Sequence, residues 1–288
     1  MALPTPSPVS GPLPGGREGA AVRVHPLRTA DMLAMPAMYQ RLKGPLSLPR
    51  ALVTPKGRWF PVPIPAFLVE HPEAGPILVD AGMHADVATD VRGHLGRVAA
   101  MFYAITMEPS WAAPAQLRER GVEPADVRLI VMTHLHYDHA SGLSQFPGAT
   151  VLVDDREWEQ ARHGRFLEGY DAGLFPAALT WRTYTHAADE VDVLGDGSIR
   201  LLRTPGHTAG HRSVVLRLAE GRELLLTGDA AYAIRSLDER LLPWVAWDDD
   251  AYLASVDRLR AWRDAHPGAT IIAGHDKDTG LGDQAVYA

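Results

Sequence analysis

The stretch THLHYDHASG, residues 133–142, places three histidines and an aspartate within six consecutive positions, directly after the apolar run LIVM. His134 and His136 are two residues apart at the end of an extended run, so their side chains point to the same side. Asp138 and His139 are direct neighbours, and both can serve the same site only if the chain has already left the strand and turned. The stretch therefore predicts a strand-to-loop corner that presents metal ligands.

Composition narrows the ligand types and the partners. The 288 residues contain no cysteine, so disulfides and thiolate metal sites are excluded, and any metal must be held by histidines and carboxylates. The net charge of −7 gives no indication of a nucleic-acid partner, and no run approaches the roughly 18 apolar residues of a membrane span. We expect a cytoplasmic protein that acts on a small molecule, without nucleic-acid or membrane partners; a homodimer is left open.

Short apolar runs that are bounded by Gly, Pro, Asp or charged residues predict strands. They are FLVE (67–70), PILVD (76–80), RLIVMT (128–133), TVLV (150–153), IRLLRT (199–204), SVVLRL (213–218), ELLLTGD (223–229) and TIIAG (270–274). The first two flank the turn signal HPEAG and predict a hairpin. The runs SVVLRL and ELLLTGD flank AEGR and predict a second hairpin.

Helical periodicity and end signals predict helices over residues 114–121, 154–163 and 248–265. Strands and helices that alternate in this way indicate an α/β fold with covered sheets. The segments 30–65 and 84–113 fit no regular element, because apolar residues there are interrupted by prolines.

The start of the chain, MALPTPSPVSGPLPGGREG, is rich in Pro and Gly and predicts a flexible tail over residues 1–20. No linker divides the rest, so residues 21–288 are predicted to form a single domain.

Three further metal-binding side chains follow strand-like runs: His207 in TPGHTAGH, Asp229 in LLLTGDAAY and His275 in IIAGHDKD. Side chains that leave separate strand ends can converge at one edge of a sandwich. Together with the four from HLHYDH they are too many for one tetrahedral ion and predict a site for two. His211, four residues after His207, is predicted to support the site rather than to bind metal.

A pair of divalent ions predicts hydrolytic chemistry. Metal binding lowers the pKa of water from 15.7 to about 7, and the positive field stabilises an oxyanion on an attacked carbonyl. Zinc is the default metal for histidine and aspartate ligands, while iron, manganese and cobalt also fit such a set.

These motifs resemble those of the metallo-β-lactamase superfamily over roughly residues 21–280. HLHYDH matches the HxHxDH pattern, and the later His, Asp and His motifs occur in the expected order. The resemblance implies an α/β fold that is an αββα four-layer sandwich, in which Asp229 bridges two metals. One metal would be held by His134, His136 and His207, and the other by Asp138, His139 and His275. In ILVDAG, which resembles the first motif of the superfamily, Asp80 would support the ligands from behind.

Tyr232, three residues after Asp229 in GDAAY, resembles the tyrosine of the N-acyl homoserine lactonases, and GHD at 274–276 resembles their ending. The resemblance implies that a metal-bridging hydroxide attacks the lactone carbonyl and that Tyr232 stabilises the tetrahedral intermediate. Asp138 would carry the proton to the leaving oxygen. The two catalytic residues expected besides the metals are thus Asp138 and Tyr232.

The apolar, Pro-interrupted segments suggest a groove for an acyl chain. Candidate wall residues are Met35, Met38, Phe102, Met107 and Trp111. The main alternative is another dinuclear metallo-hydrolase that acts on phosphotriesters such as organophosphates, on other esters or on thioesters. A metal-stabilised interaction protein without catalysis is disfavoured, because such a protein is expected to have lost ligands and none is missing.

Overall fold

The structure is a computed structural model that describes residues 3–42, 53–102, 104–165, 168–278, 281 and 286–288, with the backbone alone over 97–102. No helix in these ranges combines the length and the apolar character that a transmembrane span needs.

Thirteen strands form two sheets within the described ranges. In chain order they are β1 (Ser7–Pro8), β2 (Arg23–Ala34), β3 (Phe60–His71), β4 (Gly75–Val79), β5 (Ile105–Thr106), β6 (Leu129–Val131), β7 (Thr150–Asp154), β8 (Thr180–Tyr184), β9 (Glu190–Asp192), β10 (Ile199–Arg203), β11 (Arg212–Arg217), β12 (Glu223–Leu226) and β13 (Thr270–Ile272). The first sheet has the order β1-β8-β7-β6-β4-β3-β2-β5, and the second has the order β13-β12-β11-β10-β9. Both predicted hairpins, β3–β4 and β11–β12, are confirmed as antiparallel pairs.

In chain order the helices are α1 (Pro36–Tyr39), α2 (Val91–Phe102), α3 (Ala113–Glu119), α4 (Tyr137–Ala140), α5 (Asp155–Ala161), α6 (Ile234–Asp238) and α7 (Asp249–Ala265). Helices α3 and α5 pack on the outer face of the first sheet, α6 and α7 pack on the outer face of the second, and α1 and α4 lie near the metal-binding edge. The three predicted helices correspond to α3, α5 and α7.

Side chains that alternate along a strand build the layers. In β4, Leu78 packs outwards in one cluster with Leu117 of α3, whereas Val79 packs inwards in the cluster that joins the two sheets. In β11, Val215 packs outwards with Leu259 of α7. Because successive strand residues face opposite sides, one apolar core forms between the sheets and one beneath each helical layer. The fold is an αββα four-layer sandwich, and the predicted fold class is confirmed.

The predicted absence of regular structure over 30–65 and 84–113 is wrong in part, since β2 extends to Ala34, β3 begins at Phe60 and α2 lies within the second segment. Prolines at alternating positions occupy the first half of β3, at 61, 63 and 65, where that strand pairs with β2 only. A proline is tolerated where its nitrogen faces away from the hydrogen-bond ladder. β3 therefore forms although it contains prolines, which usually interrupt a strand.

The structure differs from the flexible tail predicted over residues 1–20. Ser7–Pro8 pair in parallel with β8, and the backbone N–H of Leu13 donates to the carbonyl of Val193 at 2.8 Å. In this Pro-rich segment the apolar residues are isolated and show neither strand nor helix periodicity. The sequence therefore contains no pattern that predicts its docking against the sandwich. The boundary between tail and domain stays a prediction.

A buried ion pair joins the two sheets beside the metal-binding corner. Arg212 at the start of β11 contacts the carboxylate of Asp154 at the end of β7, with Nη2 2.8 Å from Oδ2, and both side chains are buried. The guanidinium also donates to the carbonyl of Ala188 at 2.7 Å. The backbone N–H of Arg212 donates to the carbonyl of Thr133, the residue before His134. The pair therefore holds strand ends from both sheets against that corner.

Replacement of Arg212 by methionine should lower the free energy of unfolding by about 3–5 kcal/mol, because Asp154 would keep a buried charge without its partner. Urea unfolding followed by circular dichroism measures the change. Arg240→Met is the matched control, since the Arg240–Asp257 pair is exposed to solvent, and it should change the free energy little. Equal losses in the two variants would contradict the structural role of the buried pair.

Candidate metal centre

The seven predicted metal ligands meet at one edge of the sandwich, where strands of both sheets end. His134 and His136 follow β6, Asp138 and His139 lie in α4, and the remaining three follow β10, β12 and β13. All seven side chains are buried: His134, His136, Asp138, His139, His207, Asp229 and His275. Histidines and carboxylates are rarely buried together without partners, so this convergence marks the edge as a site.

The ligand atoms fall into two sets. The first ligand group consists of His134, His136, His207 and Asp229, and the second ligand group consists of Asp138, His139 and His275. Within each group the ligand atoms lie within 4.8 Å of one another. The family resemblance implies the same two sets, with Asp229 shared between them, and metal binding by these residues stays a prediction.

Asp229 lies between the two groups and presents one oxygen to each. Its Oδ2 is 3.2 Å from Nε2 of His207 and 3.8 Å from Nε2 of His134. Its Oδ1 is 3.4 Å from Nε2 of His139 and 3.3 Å from Nε2 of His275. A single carboxylate thus spans both groups, as a ligand shared by two ions would.

Three polar atoms at the centre fit a metal. Nε2 of His134, Nε2 of His139 and Oδ1 of Asp229 are buried and make no hydrogen bond of acceptable geometry within the described part of the chain. Each such atom costs roughly 1–3 kcal/mol when it is left unsatisfied. Divalent cations would satisfy all three, and the donor set of imidazoles and carboxylates suits zinc and its neighbours.

Asp80 orients histidines of both groups from behind, where the sequence predicts it. Nδ1 of His139 donates to Asp80 Oδ2 at 2.8 Å, which leaves Nε2 facing the site. The hydroxyl of Thr133 also donates to Oδ2 at 2.8 Å, and its oxygen lies 3.0 Å from Nδ1 of His134. Asp80 itself adopts the left-handed conformation, with φ of 58°. Such contacts select the tautomer and the ring orientation of a ligand.

Two further histidine ligands are oriented by different kinds of contact. Nδ1 of His275 lies 2.8 Å from the carbonyl of Pro63, so its Nε2 faces the site. His136 is turned the other way: its Nδ1 lies 2.9 Å from Nε2 of His207, and its ring packs edge-on against Tyr170 with centroids 4.7 Å apart. The two orientations let side chains from different strand ends aim at a common point.

His211 lies behind Asp229 rather than among the ligand atoms. Its Nε2 accepts a hydrogen bond from the backbone N–H of Asp229 at 2.9 Å, and its Nδ1 lies 3.1 Å from the carbonyl of Thr204. Burial lowers the pKa of His211 to about 3, so the ring stays neutral and keeps this acceptor. The placement matches the supporting position that the sequence predicts.

Burial and charge act differently on the two groups. Burial lowers the pKa of His136 and of His207 to about 3, so both imidazoles are neutral at physiological pH, which is the form that binds metal. Burial also opposes the charged forms of His139 and His275, yet the carboxylates of Asp229 and Asp138 hold the pKa of both above its usual value. Burial thus dominates the pKa of these histidines in the first group, whereas the neighbouring carboxylates outweigh it in the second.

Tyr232 contacts the centre through His207, with its hydroxyl 3.3 Å from Nδ1 of that histidine. It is buried, and burial raises its pKa well above the usual value, so the phenol stays protonated. Tyr39, which the sequence analysis missed, packs edge-on against Tyr232 and donates to the carbonyl of His275 at 2.6 Å. Tyr232 therefore carries a hydrogen-bond donor within the site.

A cavity of about 50 Å³ opens onto the ligands. Its lining comprises Met32, Met38, His136, Tyr137, Asp138, Glu168, Gly169, His207, Asp229, Tyr232, Val245 and His275. Among the predicted wall residues whose side chains the structure describes, Met38 alone belongs to this lining.

Of the other predicted wall residues, those with described side chains are not part of this lining. Trp111 lines a separate cavity beside Arg28, and Met107 packs in the apolar cluster of β2 and β3. Met35 is half-buried just before α1, and the side chain of Phe102 lies outside the described residues. Apolar composition alone does not show which loop residues face a cavity and which face the core.

Glu157 of α5 is a buried carboxyl beside the site that sequence reasoning did not select. It accepts hydrogen bonds from the backbone N–H of Leu135 at 2.8 Å, of Gly210 at 3.2 Å and from the hydroxyl of Tyr170 at 3.1 Å. Burial raises its pKa to about 7. In the sequence it is one of several acids near a helix start, where acids are common for electrostatic reasons.

The sequence is similar to that of known proteins over most of its length. The sequence profile described as Metallo-beta-lactamase superfamily matches residues 59–275. The N-acyl homoserine lactonase AttM of Agrobacterium fabrum is 36% identical over 230 residues, which cover 77% of this chain and 85% of that protein.

Two solved structures share the fold. One, described as an N-acyl homoserine lactone hydrolase with the product N-hexanoyl-L-homoserine bound at the catalytic metal centre, has a TM-score of 0.74 at 24% identity and covers 94% of this chain and 100% of its own. The other, described as AidC, a dizinc quorum-quenching lactonase in complex with a product, has a TM-score of 0.64 at 14% identity, with coverages of 96% and 97%.

Asp80→Asn should weaken metal binding by about 10- to 100-fold, because an amide has one acceptor oxygen and cannot serve both the N–H of Thr133 on Oδ1 and the donors of His139 and the Thr133 hydroxyl on Oδ2. Competition with a chromophoric chelator measures the affinity. Asp257→Asn makes the same chemical change on an exposed face of α7 and should leave the affinity unchanged. An Asp80 variant that binds metal as tightly as the parent would rule out this orienting role.

Proposed function

The chain belongs to the metallo-β-lactamase superfamily, and we propose that within it the chain hydrolyses N-acyl homoserine lactones. One observation carries the proposal: two buried ligand groups share Asp229 at a cavity that Asp138 and Tyr232 also line. The likeness to a lactonase at 36% identity supports the same activity. In the reaction, a water oxygen bonds to the lactone carbonyl carbon and the bond from that carbon to the ring oxygen breaks.

We assign one divalent ion to each ligand group, with Asp229 shared, and zinc as the metal. The donor chemistry supports zinc, as does the description of a structural relative as a dizinc lactonase. When bound, such ions lower the pKa of water to about 7 and polarise a carbonyl.

Asp138 and Tyr232 supply the proton chemistry in this proposal. The carboxylate of Asp138 lines the cavity, with Oδ2 3.7 Å from Nε2 of His275, and it can take a proton from the attacking water. The same carboxyl can then deliver the proton to the ring oxygen as the ring opens. The protonated phenol of Tyr232 can donate to the carbonyl oxygen as negative charge develops there.

The cavity offers the two kinds of surface that an acylated lactone needs. Asp138, Asp229 and Tyr232 form its polar side, whereas Met32 and Met38 contribute apolar surface. Contact with an acyl chain is favourable by about 0.8 kcal/mol for each buried CH₂. A substrate that joins a small polar ring to an aliphatic chain would contact both kinds of surface.

The purified protein should contain about two metal ions per chain by elemental analysis. At neutral pH it should hydrolyse short- and long-chain N-acyl homoserine lactones and thereby release acid. A pH-stat measures the release, because ring opening yields a carboxylic acid that ionises. A phosphotriester and a thioester serve as comparison substrates. Turnover of either of these without lactone turnover would replace the proposal by the corresponding hydrolase activity.

Tyr232→Phe should lower kcat for lactones by roughly 100-fold, which is the lower range for loss of one donor to a developing oxyanion. Metal content should be retained, which separates donation to substrate from a role in orienting His207. Tyr252→Phe is the matched control, since that buried tyrosine belongs to α7 and packs against the outer face of the second sheet. An unchanged kcat in Tyr232→Phe would remove the phenol from the reaction.

A further inference from the structure

Glu157 connects three separate parts of the chain through one buried carboxyl. Its Oε1 accepts from the N–H of Leu135 at 2.8 Å and from the hydroxyl of Tyr170 at 3.1 Å, and its Oε2 accepts from the N–H of Gly210 at 3.2 Å. The side chain is fully buried. In its ionised form the carboxyl only accepts, which suits three donors, and each contact is worth more in a buried, low-dielectric setting.

Each of these three contacts leads to a histidine of the first ligand group. Leu135 lies between His134 and His136, so its N–H sets the position of that strand end. Tyr170 packs its ring edge-on against His136, with centroids 4.7 Å apart. The third contact acts on the loop that follows His207.

The loop after His207 lies directly on α5. A Cβ added at Gly210 would come within 2.2 Å of the backbone nitrogen of Glu157, so only glycine permits the approach. The next turn of the helix also contributes, because Oε1 of Gln160 accepts from the N–H of Ala209 at 2.7 Å. The helix therefore determines how far the His207 loop lies from the strand end that carries His134 and His136.

The second ligand group is held by other residues. Asp80 orients His139, and the carbonyl of Pro63 orients His275. The hydrogen bonds of Glu157 described above do not reach these histidines. A change at Glu157 should therefore act on one ligand group and spare the other.

We infer that Glu157 is a positioning residue that sets the spacing between the His134–His136 strand end and the His207 loop, and so controls the metal affinity of the first ligand group alone. The inference rests on the metal assignment made under the proposed function. It does not depend on which substrate the centre hydrolyses.

Glu157→Gln tests the inference with little change in size. The amide oxygen can still accept from Leu135 and Tyr170, but the amide nitrogen then faces the N–H of Gly210, and two donors repel. The substitution is made in two backgrounds of the full chain. His275→Ala keeps the first ligand group intact, and His207→Ala keeps the second.

Cobalt(II) affinity is measured in each background by chelator competition and by the visible spectrum of the bound ion. Glu157→Gln should weaken cobalt binding about 10- to 100-fold in the His275→Ala background and leave it unchanged in the His207→Ala background. Tyr170→Phe, which removes one of the three donors, should cause a smaller loss in the same background only. Glu159→Gln, the same change on an exposed position of α5, is the control and should have no effect.

Equal weakening in both backgrounds would overturn the inference, because it would indicate a general loss of fold. Unchanged affinity in the His275→Ala background would overturn it as well. If Glu157→Gln does not fold, Tyr170→Phe decides by the same comparison. No lactone is used, so a failure of lactone hydrolysis and a failure of the positioning role are separate results.

Discussion

The centre depends on the contacts of the Asp229 carboxylate with histidines of both ligand groups. The two carboxylate oxygens of Asp229 lie 3.2–3.8 Å from four histidine nitrogens that come from both ligand groups. Burial opposes its charged form, but the surrounding histidines hold its pKa well below the usual value. The backbone N–H of Asp229 donates to Nε2 of His211, which fixes the backbone at this position. The preceding residue, Gly228, adopts a left-handed conformation that brings the chain close to the His211 ring.

The sandwich supplies what this carboxylate requires. Strands of both sheets end at the same edge, and their apolar inner faces keep the sheets together, so ligands from distant parts of the sequence arrive within a few ångströms. The buried pair of Arg212 and Asp154 holds the two sheets at that edge. Because several polar atoms of the centre lack partners within the described part of the chain, metal binding and stability of the fold are expected to be linked.

Substrate selection depends on the residues around the metals, since related centres serve many hydrolytic reactions. A protonated phenol, a carboxylate and an apolar wall border one cavity here. This combination suits an ester within a small ring that carries an aliphatic chain. Glu157 acts indirectly. It hydrogen-bonds to the two segments that carry the histidines of the first ligand group and contacts no ligand atom.

The sequence by itself determined the local features. HLHYDH encodes a strand end followed by a turn within six positions, and short apolar runs with turn signals between them encode both hairpins. Only the tertiary structure decided the pairing of the proline-containing half of β3, the docking of Ser7–Pro8, the wall of the cavity and the three contacts of Glu157. These depend on distances between residues that lie from 13 to more than 170 positions apart. Periodicity reports which side of an element is apolar, whereas such distances follow from how whole elements pack.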